Sequence, residues 1–456
     1  MATLGEKISA LRRSAGLSQR ELAAGFVTKS MISQIETDKI LPSADLLHAL
    51  AARLGVLPEH LLPAKHAEQE RLACYQQAQA FLSLGHVTES LPLLLSCLRD
   101  PHPTWSEFAL LNQIGSCYQQ LGEYEQARRY YEQALRLAIR DERIGEAIRL
   151  YVRIGEMLHA VGQIELALLE WRRAERELDH DAAPKQEPLF VLALRMHMAG
   201  GLRALGELRG ALHYYRLAEQ SLRGLSGQSR KRAEVQLGIA LTFEKMERPA
   251  QAEVHVREAK RYYMACNDRR MALYAQILHG RMLRISKRLR EARQELNASL
   301  QEAEEIGASD LILRASCELG RVRAELGATA SAVSLLRNAL DRTNASPKER
   351  GLTYLTLANL YEANQQISLA FEAAEQAQRL LQSSREELLP VYRLLIKLCK
   401  RQDDYRQASV WAERADQLIG WKMHQHGWWE SKPLDVQSRG ERNESSNASV
   451  DSISDA

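Results

Sequence analysis

LLNQIGSCYQQLGEYEQARRYYEQALRLA, residues 110–138, decides the fold of this chain. Apolar and small residues recur in it at the spacing of α-helices, and a glycine near its middle separates two helical segments. The first segment centres on a small residue, Gly115. Twelve, sixteen and nineteen positions later come Ala127, Tyr131 and Ala134. The pattern predicts a helical hairpin with small residues where its two helices cross.

The same pattern recurs along most of the chain. In the next unit, the corresponding positions hold Gly155, Ala167, Trp171 and Ala174. A period of this length is typical of a solenoid, in which each unit packs only on its neighbours. We therefore expect an all-α protein whose long second part is an α-solenoid of about nine helical hairpins. The nine anchors are 37 to 44 residues apart: Ala78, Gly115, Gly155, Ala199, Ala240, Gly280, Gly320, Ala358 and Ile396.

These units resemble the tetratricopeptide repeat, with helices slightly longer than usual. The resemblance implies a right-handed superhelix whose concave surface is lined by the first helix of each hairpin. The match is strong at Gly115, Gly155 and Gly320 and weak at the first and last units, as expected for the ends of a solenoid. We assign residues 66–420 to this array and residues 421–456 to a C-terminal cap with a disordered tail.

The first 65 residues predict a separate domain of five short helices. Ser18 and Glu21 have the spacing of a capping box for the second helix. Thr28 is expected to cap the third helix. Phe26 and Val27 lie in the joint between these two helices, where we expect them to fill the gap.

This domain resembles the helix-turn-helix domain of phage-repressor-like (XRE-type) regulators. The resemblance is carried by residues 17–23, by Ser30, Ile32–Ser33 and Ile35–Glu36, and by Pro42–Ser43. It implies that the third helix enters the major groove of DNA, where Ser and Gln can bond base edges and basic side chains can hold phosphates. The candidate DNA-binding residues are Gln19, Arg20, Lys29, Ser30, Ser33, Gln34 and Lys39.

Composition narrows the possible functions. The formal net charge is only +3, so a DNA contact must come from a local basic patch. No apolar run is long enough for a membrane span, and the N-terminus lacks a signal-peptide core, so we expect a cytoplasmic protein. The six cysteines form no CxxC pair, and we find no zinc motif, phosphate loop or GxSxG motif. We expect no enzyme activity, no cofactor and no metal.

The joint at residues 21–26 is one residue shorter than in many XRE domains. With the repeat array behind it, this joint resembles the RRNPP-type peptide-pheromone receptors of Gram-positive bacteria. The resemblance implies a transcription regulator that binds operator DNA and whose concave surface binds a short signalling peptide. A single domain reads few base pairs, so we also predict a homodimer through the array.

Side-chain amides and arginines on the first helices suit a peptide, because amides pair with a backbone and arginines clamp carboxylates. The candidate peptide-binding residues are Asn112, Gln119, Arg149, Glu156, Arg203, Arg281, Arg284 and Asn359. Two alternatives remain open. One is control of the array by another protein or a metabolite, and the other is binding or dephosphorylation of a phosphorelay protein.

Overall fold

The computed structural model describes residues 3–61, 64–102, 105–179, 187–382 and 385–425. Within these ranges the chain forms 22 α-helices and no strand, so the predicted all-α class is confirmed. The helices are α1 (Leu4–Ser14), α2 (Gln19–Ala23), α3 (Lys29–Glu36), α4 (Ala44–Leu54), α5 (Ala64–Ser83), α6 (Val87–Arg99), α7 (Glu107–Gln120), α8 (Tyr124–Arg140), α9 (Ile144–Ala160), α10 (Ile164–Leu178), α11 (Pro188–Leu205), α12 (Leu208–Ser221), α13 (Ser229–Lys245), α14 (Pro249–Ala265), α15 (Arg269–Ile285), α16 (Leu289–Glu305), α17 (Ser309–Glu325), α18 (Thr329–Arg342), α19 (Pro347–Ala363), α20 (Ile367–Leu380), α21 (Arg385–Arg401) and α22 (Tyr405–Gln425).

Helices α1 to α4 form the N-terminal domain. The fifth helix predicted there is a single 3₁₀ turn, Pro58–His60. Ile8, Leu22, Ile32 and Leu50 are fully buried and meet in one apolar core. Burying each such side chain contributes about 1.5–3 kcal/mol, which is how such short helices hold together.

From α5 onward, consecutive helices pair through short turns. The pairs α5/α6, α7/α8 and each pair from α11/α12 to α21/α22 pack against each other. Some first helices also touch the first helix of the next pair, as α15 touches α17 and α17 touches α19. Helices α9 and α10 have the same spacing along the chain. The predicted array of helical hairpins after a helix-turn-helix domain is therefore confirmed.

The small residues predicted as anchors lie in the interior. The first eight anchors, from Ala78 to Ala358, are all buried. Ile396, the last one, is half-buried. A Cβ at Gly115 would lie 2.7 Å from the ring of Tyr131, and one at Gly280 would lie 2.5 Å from Leu296 Cγ. Glycine is required at these two crossings, whereas the 3.5 Å at Gly320 is an ordinary contact.

The turns between first and second helices share one backbone geometry. Two residues before each second helix, one residue has a left-handed backbone with φ between 58° and 87°. At eight of these nine turns in the described residues, the N–H of the following residue donates to a carbonyl five positions back, as Glu123 does to Tyr118 at 2.9 Å. The left-handed position holds Gly85, Gly122, Gly162, Gly206, Glu247, Lys287, Gly327, Gln365 and Asp403.

The chain divides into two compact units. Unit 1 is Met1–Val161 with Arg176–Pro184, and unit 2 is Gly162–Glu175 with Lys185–Ala456. Unit 1 holds the N-terminal domain and helices α5 to α9, while unit 2 holds most of α10 and the helices from α11 to α22.

Helix α22 continues to Gln425, five residues past the end that the repeat pattern predicts at Gly420. The remainder of the predicted cap and the predicted tail, residues 426–456, lie outside the described residues. Among the helices in the described part of the chain, none is long and apolar enough to cross a bilayer.

Candidate DNA-binding face and a cavity in the repeat array

Side-chain caps fix the starts of α2 and α3. The backbone N–H of Glu21 donates to Ser18 Oγ at 3.2 Å, and the N–H of Ser18 donates to Glu21 Oε2 at 2.7 Å. At α3, the N–H of Met31 donates to the Thr28 hydroxyl at 3.3 Å. The predicted capping box and the predicted Thr28 cap are therefore confirmed.

The inner side of α3 is held in the domain core. Ile32 and Ile35 are buried, and Met31 beside them is half-buried. On the facing helix α1, a Cβ at Gly5 would lie 2.5 Å from the carbonyl oxygen of Ile35. Only glycine allows the two backbones to approach so closely. The N–H of Gly5 also donates to Asp38 Oδ1 at 2.8 Å, just beyond α3.

The opposite side of α3 is open. Lys29, Ser30 and Gln34 are exposed, and Ser33 is half-exposed. We call these four residues the α3 outer face. Two further candidates, Arg20 and Lys39, are also exposed. The side chains that the sequence assigned to base contacts therefore share one accessible helix side, as a groove-reading helix requires.

Gln19 differs from the other DNA candidates, because it is half-buried and bonded within the domain. Its amide nitrogen donates to Glu36 Oε2 at 2.7 Å. Arg12 also holds this carboxylate, with Nε 2.5 Å from Oε1 and Nη2 3.0 Å from Oε2. Arg12 further donates from Nη1 to the carbonyl of Leu17 at 2.8 Å. One buried carboxylate thus ties α1, the start of α2 and the end of α3 together.

The pKa of the Glu36 carboxyl reflects this environment. Burial acts to raise the pKa, but the hydrogen bonds from Arg12 and Gln19 outweigh it, so the pKa lies below its ordinary value. Glu36 therefore stays ionised at neutral pH and can hold both donors.

A basic hollow of about 720 Å³ lies beside this network. Three of the predicted DNA-binding residues, Gln19, Arg20 and Lys29, line it together with Ser18 and Arg12. Three cations around one hollow suit a phosphate group of the DNA backbone. The sequence prediction missed Arg12, although it lies four residues after the buried Ile8 and so faces inward on the same side of α1.

One expectation for this domain is wrong. Phe26 was expected to fill the gap between α2 and α3, but half of its surface (50%) is exposed. The guanidinium of Arg53 lies over its ring, 4.7 Å from the centroid, and Arg53 also donates to the carbonyl of Ala24. Arg53 thus covers a ring that the core does not reach. Val27 is half-buried.

Three of the four peptide candidates in unit 1 take part in bonds between helices. Asn112 accepts from Arg153 Nη1 at 2.8 Å. Gln119 accepts from the hydroxyl of the buried Tyr131 at 2.8 Å, and its amide donates to Glu156 at 3.5 Å. These bonds connect α7 with α8 and α9, so the candidates have structural partners already.

The remaining candidate in unit 1, Arg149, is exposed. Its Nη1 lies 3.8 Å from Oε1 of Glu146, one turn earlier on the same helix. Its head group is therefore held only weakly.

In unit 2, Arg281 and Arg284 of α15 belong to an ion-pair network. Arg281 Nη2 lies 2.7 Å from Glu244 Oε1 on α13. Arg284 Nε lies 3.2 Å from Glu318 Oε2, and its Nη1 lies 2.8 Å from Glu325 Oε1, both on α17. The network crosses three consecutive first helices, so the predicted arginines here join neighbouring repeats.

The last two peptide candidates are Asn359 and Arg203, and among the described residues neither forms a hydrogen bond with this network. Asn359 is exposed, and its amide donates to the carbonyl of Leu355 on the same helix at 2.8 Å. Arg203 is half-buried on α11, and its Nε atom is buried without a hydrogen-bond partner.

A cavity of about 470 Å³ lies on the first helices of unit 2. Its lining comes from α15, α17, α19 and α21, and we call it the first-helix cavity. One side is apolar, with Tyr274, Ile277 and Leu352 among its residues. The other side carries charges, and Arg281 is the one predicted peptide-binding residue among the lining residues. Mixed apolar and polar linings of this size are typical of ligand sites.

The sequence prediction missed the other charged residues of this cavity. Arg314 Nη2 donates to Glu349 Oε1 at 2.5 Å, and its guanidinium lies 5.2 Å from the centroid of the Tyr274 ring. Arg321 donates from Nη1 to Glu318 Oε1 at 2.6 Å and from Nη2 to Thr356 Oγ1 at 3.1 Å. Arg321 follows the anchor Gly320 directly, as Arg281 follows Gly280. This shared position, directly after an anchor glycine, could have identified Arg321 from the sequence.

Glu244 is the least favourably placed carboxyl in the network. Burial raises its pKa above the ordinary value; Arg281 opposes this shift, and the nearby Glu318 adds to it. The Glu244 carboxyl is therefore more easily protonated than a fully solvated carboxyl.

Two protein families match parts of this chain. Residues 8–61 match the helix-turn-helix family, and residues 106–175 match the tetratricopeptide-repeat family. No curated protein matches the sequence. The two matches agree with the domain order seen in the structure. The chain thus carries a helix-turn-helix domain followed by tetratricopeptide repeats, the domain order that its sequence predicts.

Solved structures that are similar to this chain include RapI, NprR and PlcR. RapI in its apo form has a TM-score of 0.52 at 11% identity, covering 76% of this chain and 97% of its own. NprR, a quorum sensor from B. thuringiensis solved in its apo form, has a TM-score of 0.49 at 14% identity, with coverages of 77% and 99%. PlcR from Bacillus thuringiensis, in complex with the peptide PapR7 and DNA, has a TM-score of 0.34 at 16% identity, with coverages of 60% and 98%.

Proposed function

We propose that this protein is a cytoplasmic transcription regulator that binds operator DNA through α3 and is controlled by a short peptide bound on its repeat array. It acts by binding and carries out no catalysis. The observation that carries the proposal is the presence, in one chain, of an open helix-turn-helix face and a formed cavity on the first helices of the repeats.

The DNA-binding half rests on the α3 outer face and the basic hollow. Ser33 and Gln34 present donors and acceptors for base edges, while Arg20 and Lys29 present charge for phosphates. The Arg12–Glu36 pair holds α3 against α1, so the reading side chains are oriented before DNA arrives.

The peptide-binding half rests on the first-helix cavity. It offers an apolar wall beside paired charges, which suits a peptide with both backbone and side-chain groups to satisfy. Because its lining comes from four repeats, a ligand there contacts several units at once. Such a ligand biases the packing of neighbouring repeats if it prefers one arrangement over another.

The regulator acts as a homodimer in this proposal. One helix-turn-helix domain reads only a few base pairs, whereas two domains on half-sites one helical turn apart double the sequence that is read. The array is the natural place for the dimer contact, because the DNA-binding domain is small.

Selection of DNA from a random pool, followed by binding titrations, tests the first half. The intact protein should retain one palindromic sequence, and the Ser33→Ala/Gln34→Ala variant should not. Adding the peptide fraction of the source culture's spent medium should then change the affinity for that DNA. Retention of no sequence by a folded, intact protein would contradict the proposal, as would an affinity that no peptide fraction changes.

A further inference from the structure

Arg281 and Arg321 of the first-helix cavity converge on one oxygen atom. Arg321 Nη1 lies 2.6 Å from Glu318 Oε1, and Arg281 Nε lies 3.9 Å from the same oxygen. The two arginines come from α15 and α17, and both are partly exposed, at 39% and 40% of their side-chain surface. Two guanidinium groups from neighbouring repeats thus stand together at the cavity.

Their hydrogen-bonding capacity is only partly used. A guanidinium has five N–H donors in a fixed planar arrangement. Arg321 uses one nitrogen for Glu318 and another for Thr356. Arg281 pairs with Glu244 through Nη2, while its Nε is buried and has no hydrogen-bond partner. Donors therefore remain at the cavity for an acceptor that is absent from the protein itself.

The surrounding charges favour an anion. In the network around these residues, the cations Arg281, Arg284, Lys287 and Arg321 share the carboxylates of Glu244, Glu318 and Glu325. Four cations thus share three carboxylates. The burial of Glu244, which raises the pKa of its carboxyl, weakens the negative side further. A carboxylate, like a phosphate, fits a planar guanidinium by two parallel bonds.

The apolar side of the cavity restricts which chemical group is attached to that anion. Ile277 and Leu278 are almost fully buried, and Leu352 and Tyr274 are half-buried among the lining residues. These side chains offer contact to an aliphatic or aromatic group but no charge. A free inorganic anion would leave this wall uncovered.

We propose that the first-helix cavity binds a carboxylate of the peptide between Arg281 and Arg321, with a neighbouring apolar side chain of that peptide against Tyr274 and Leu352. This inference rests on the proposed function, because it takes the ligand to be a peptide. The carboxylate comes either from the peptide's C-terminus or from an Asp or Glu side chain.

Affinity selection with two peptide pools distinguishes these sources. The full chain is incubated with random pentapeptides that have free C-terminal carboxylates and, separately, with the same pool carrying C-terminal amides. Retained peptides are identified by mass spectrometry. The variants are Arg321→Gln, which removes the charge, and Arg321→Lys, which keeps it. The matched control is Arg293→Gln, which changes an exposed arginine of α16 outside the cavity lining. Melting temperatures establish that each variant is folded.

The proposal predicts that peptides with an apolar residue beside a carboxylate are retained. Their affinity should fall about tenfold or more in Arg321→Gln, less in Arg321→Lys, and not at all in Arg293→Gln. Loss of retention on amidation assigns the C-terminus, whereas retained amides enriched in Asp or Glu assign a side chain.

Two results would overturn the proposal, and they differ in what else they affect. Retention of amidated peptides without acidic residues, at equal affinity in Arg321→Gln, would refute the carboxylate site and leave peptide binding intact. Retention of no peptide from either pool by the folded protein would refute the site together with the proposed function.

Discussion

The α3 outer face and the first-helix cavity both carry candidate binding residues, but their side chains are in opposite states. Within the described residues, Lys29, Ser30 and Gln34 make no side-chain hydrogen bond or ion pair. In the cavity, Arg281 is already paired with Glu244 of a neighbouring repeat, and Arg321 with Glu318 of its own helix. DNA therefore adds bonds to the protein, whereas a ligand of the cavity shares or replaces bonds that exist.

This difference assigns the two regions different roles. Binding at the α3 outer face changes little inside the domain, because Glu36 and its donors hold α3 from behind. Binding at the cavity redistributes ion pairs between α13, α15 and α17, which are contacts between repeats. The first region suits recognition, and the second suits coupling of a ligand to the packing of the array.

The largest effect is expected from Glu318→Ala. Glu318 is 8% exposed and faces Arg281, Arg284 and Arg321, so removing it takes one carboxylate away from three cations, of which Arg284 is the most buried. We expect unit 2 to lose about 3 kcal/mol of unfolding free energy, measured by denaturation with hydrogen exchange on α15 and α17. The exposed Glu304→Ala on α16 is the control and should change stability little. An unchanged stability for Glu318→Ala would show that the network is not structural.

The next largest effect is on DNA. Ser33→Ala/Gln34→Ala should weaken specific operator binding about thirtyfold, roughly 2 kcal/mol, because base contacts are lost while the helix remains. Fluorescence anisotropy against selected and scrambled DNA measures this loss. Ser14→Ala on α1 is the control. Equal weakening on both DNAs, or a lowered melting temperature, would show that these side chains do not read bases.

A smaller effect is expected behind α3. Glu36→Gln should lower the unfolding free energy of the N-terminal domain by about 1.5 kcal/mol at neutral pH, since charged hydrogen bonds to Arg12 and Gln19 are lost.

The same variant should change the pH dependence of that domain. The folded-state pKa of Glu36 is lowered, so its contribution is present above the unfolded pKa, about 4.3, and is lost as the pH falls through the folded value. In thermal melts from neutral to acidic pH, the melting temperature of the wild-type domain should therefore fall below about pH 4.3. This fall should be smaller in Glu36→Gln. Parallel curves for the two proteins would contradict the role of this carboxylate.

The smallest effect is expected from Arg149→Ala. Arg149 is exposed and only weakly paired with Glu146, so stability should change by about 0.3 kcal/mol. A loss of peptide affinity in this variant would then report a direct ligand contact. Asn112→Ala tests a hydrogen-bonded candidate of the same unit, because Asn112 accepts a bond from Arg153 on α9. If both variants lose the same stability, the distinction between free and paired candidates does not hold in unit 1.

The sequence predicted the features that local patterns determine. Ser18 and Thr28 were identified as caps because a cap needs only residues three positions away, and the small anchors followed from a repeated spacing. The paired charges were not predictable in this way. Arg12 and Glu36 are 24 positions apart, and Arg281 and Glu318 are on different repeats. Their pairing depends on how helices are placed, and charged residues on an exposed helix side have no distinctive period.

The left-handed turns within the hairpins have a consequence for how such an array changes over generations. Glu247, Lys287, Gln365 and Asp403 adopt the same backbone conformation as the glycines in the other turns, at a cost of about 1–2 kcal/mol each. The joint is thus defined by backbone hydrogen bonds and not by one required residue. A gene segment that encodes a hairpin carries its own joint, so duplication or loss of a whole hairpin leaves every remaining turn intact. Outside the four repeats that line the first-helix cavity, the length of the array can evolve separately from the sequence of its ligand site.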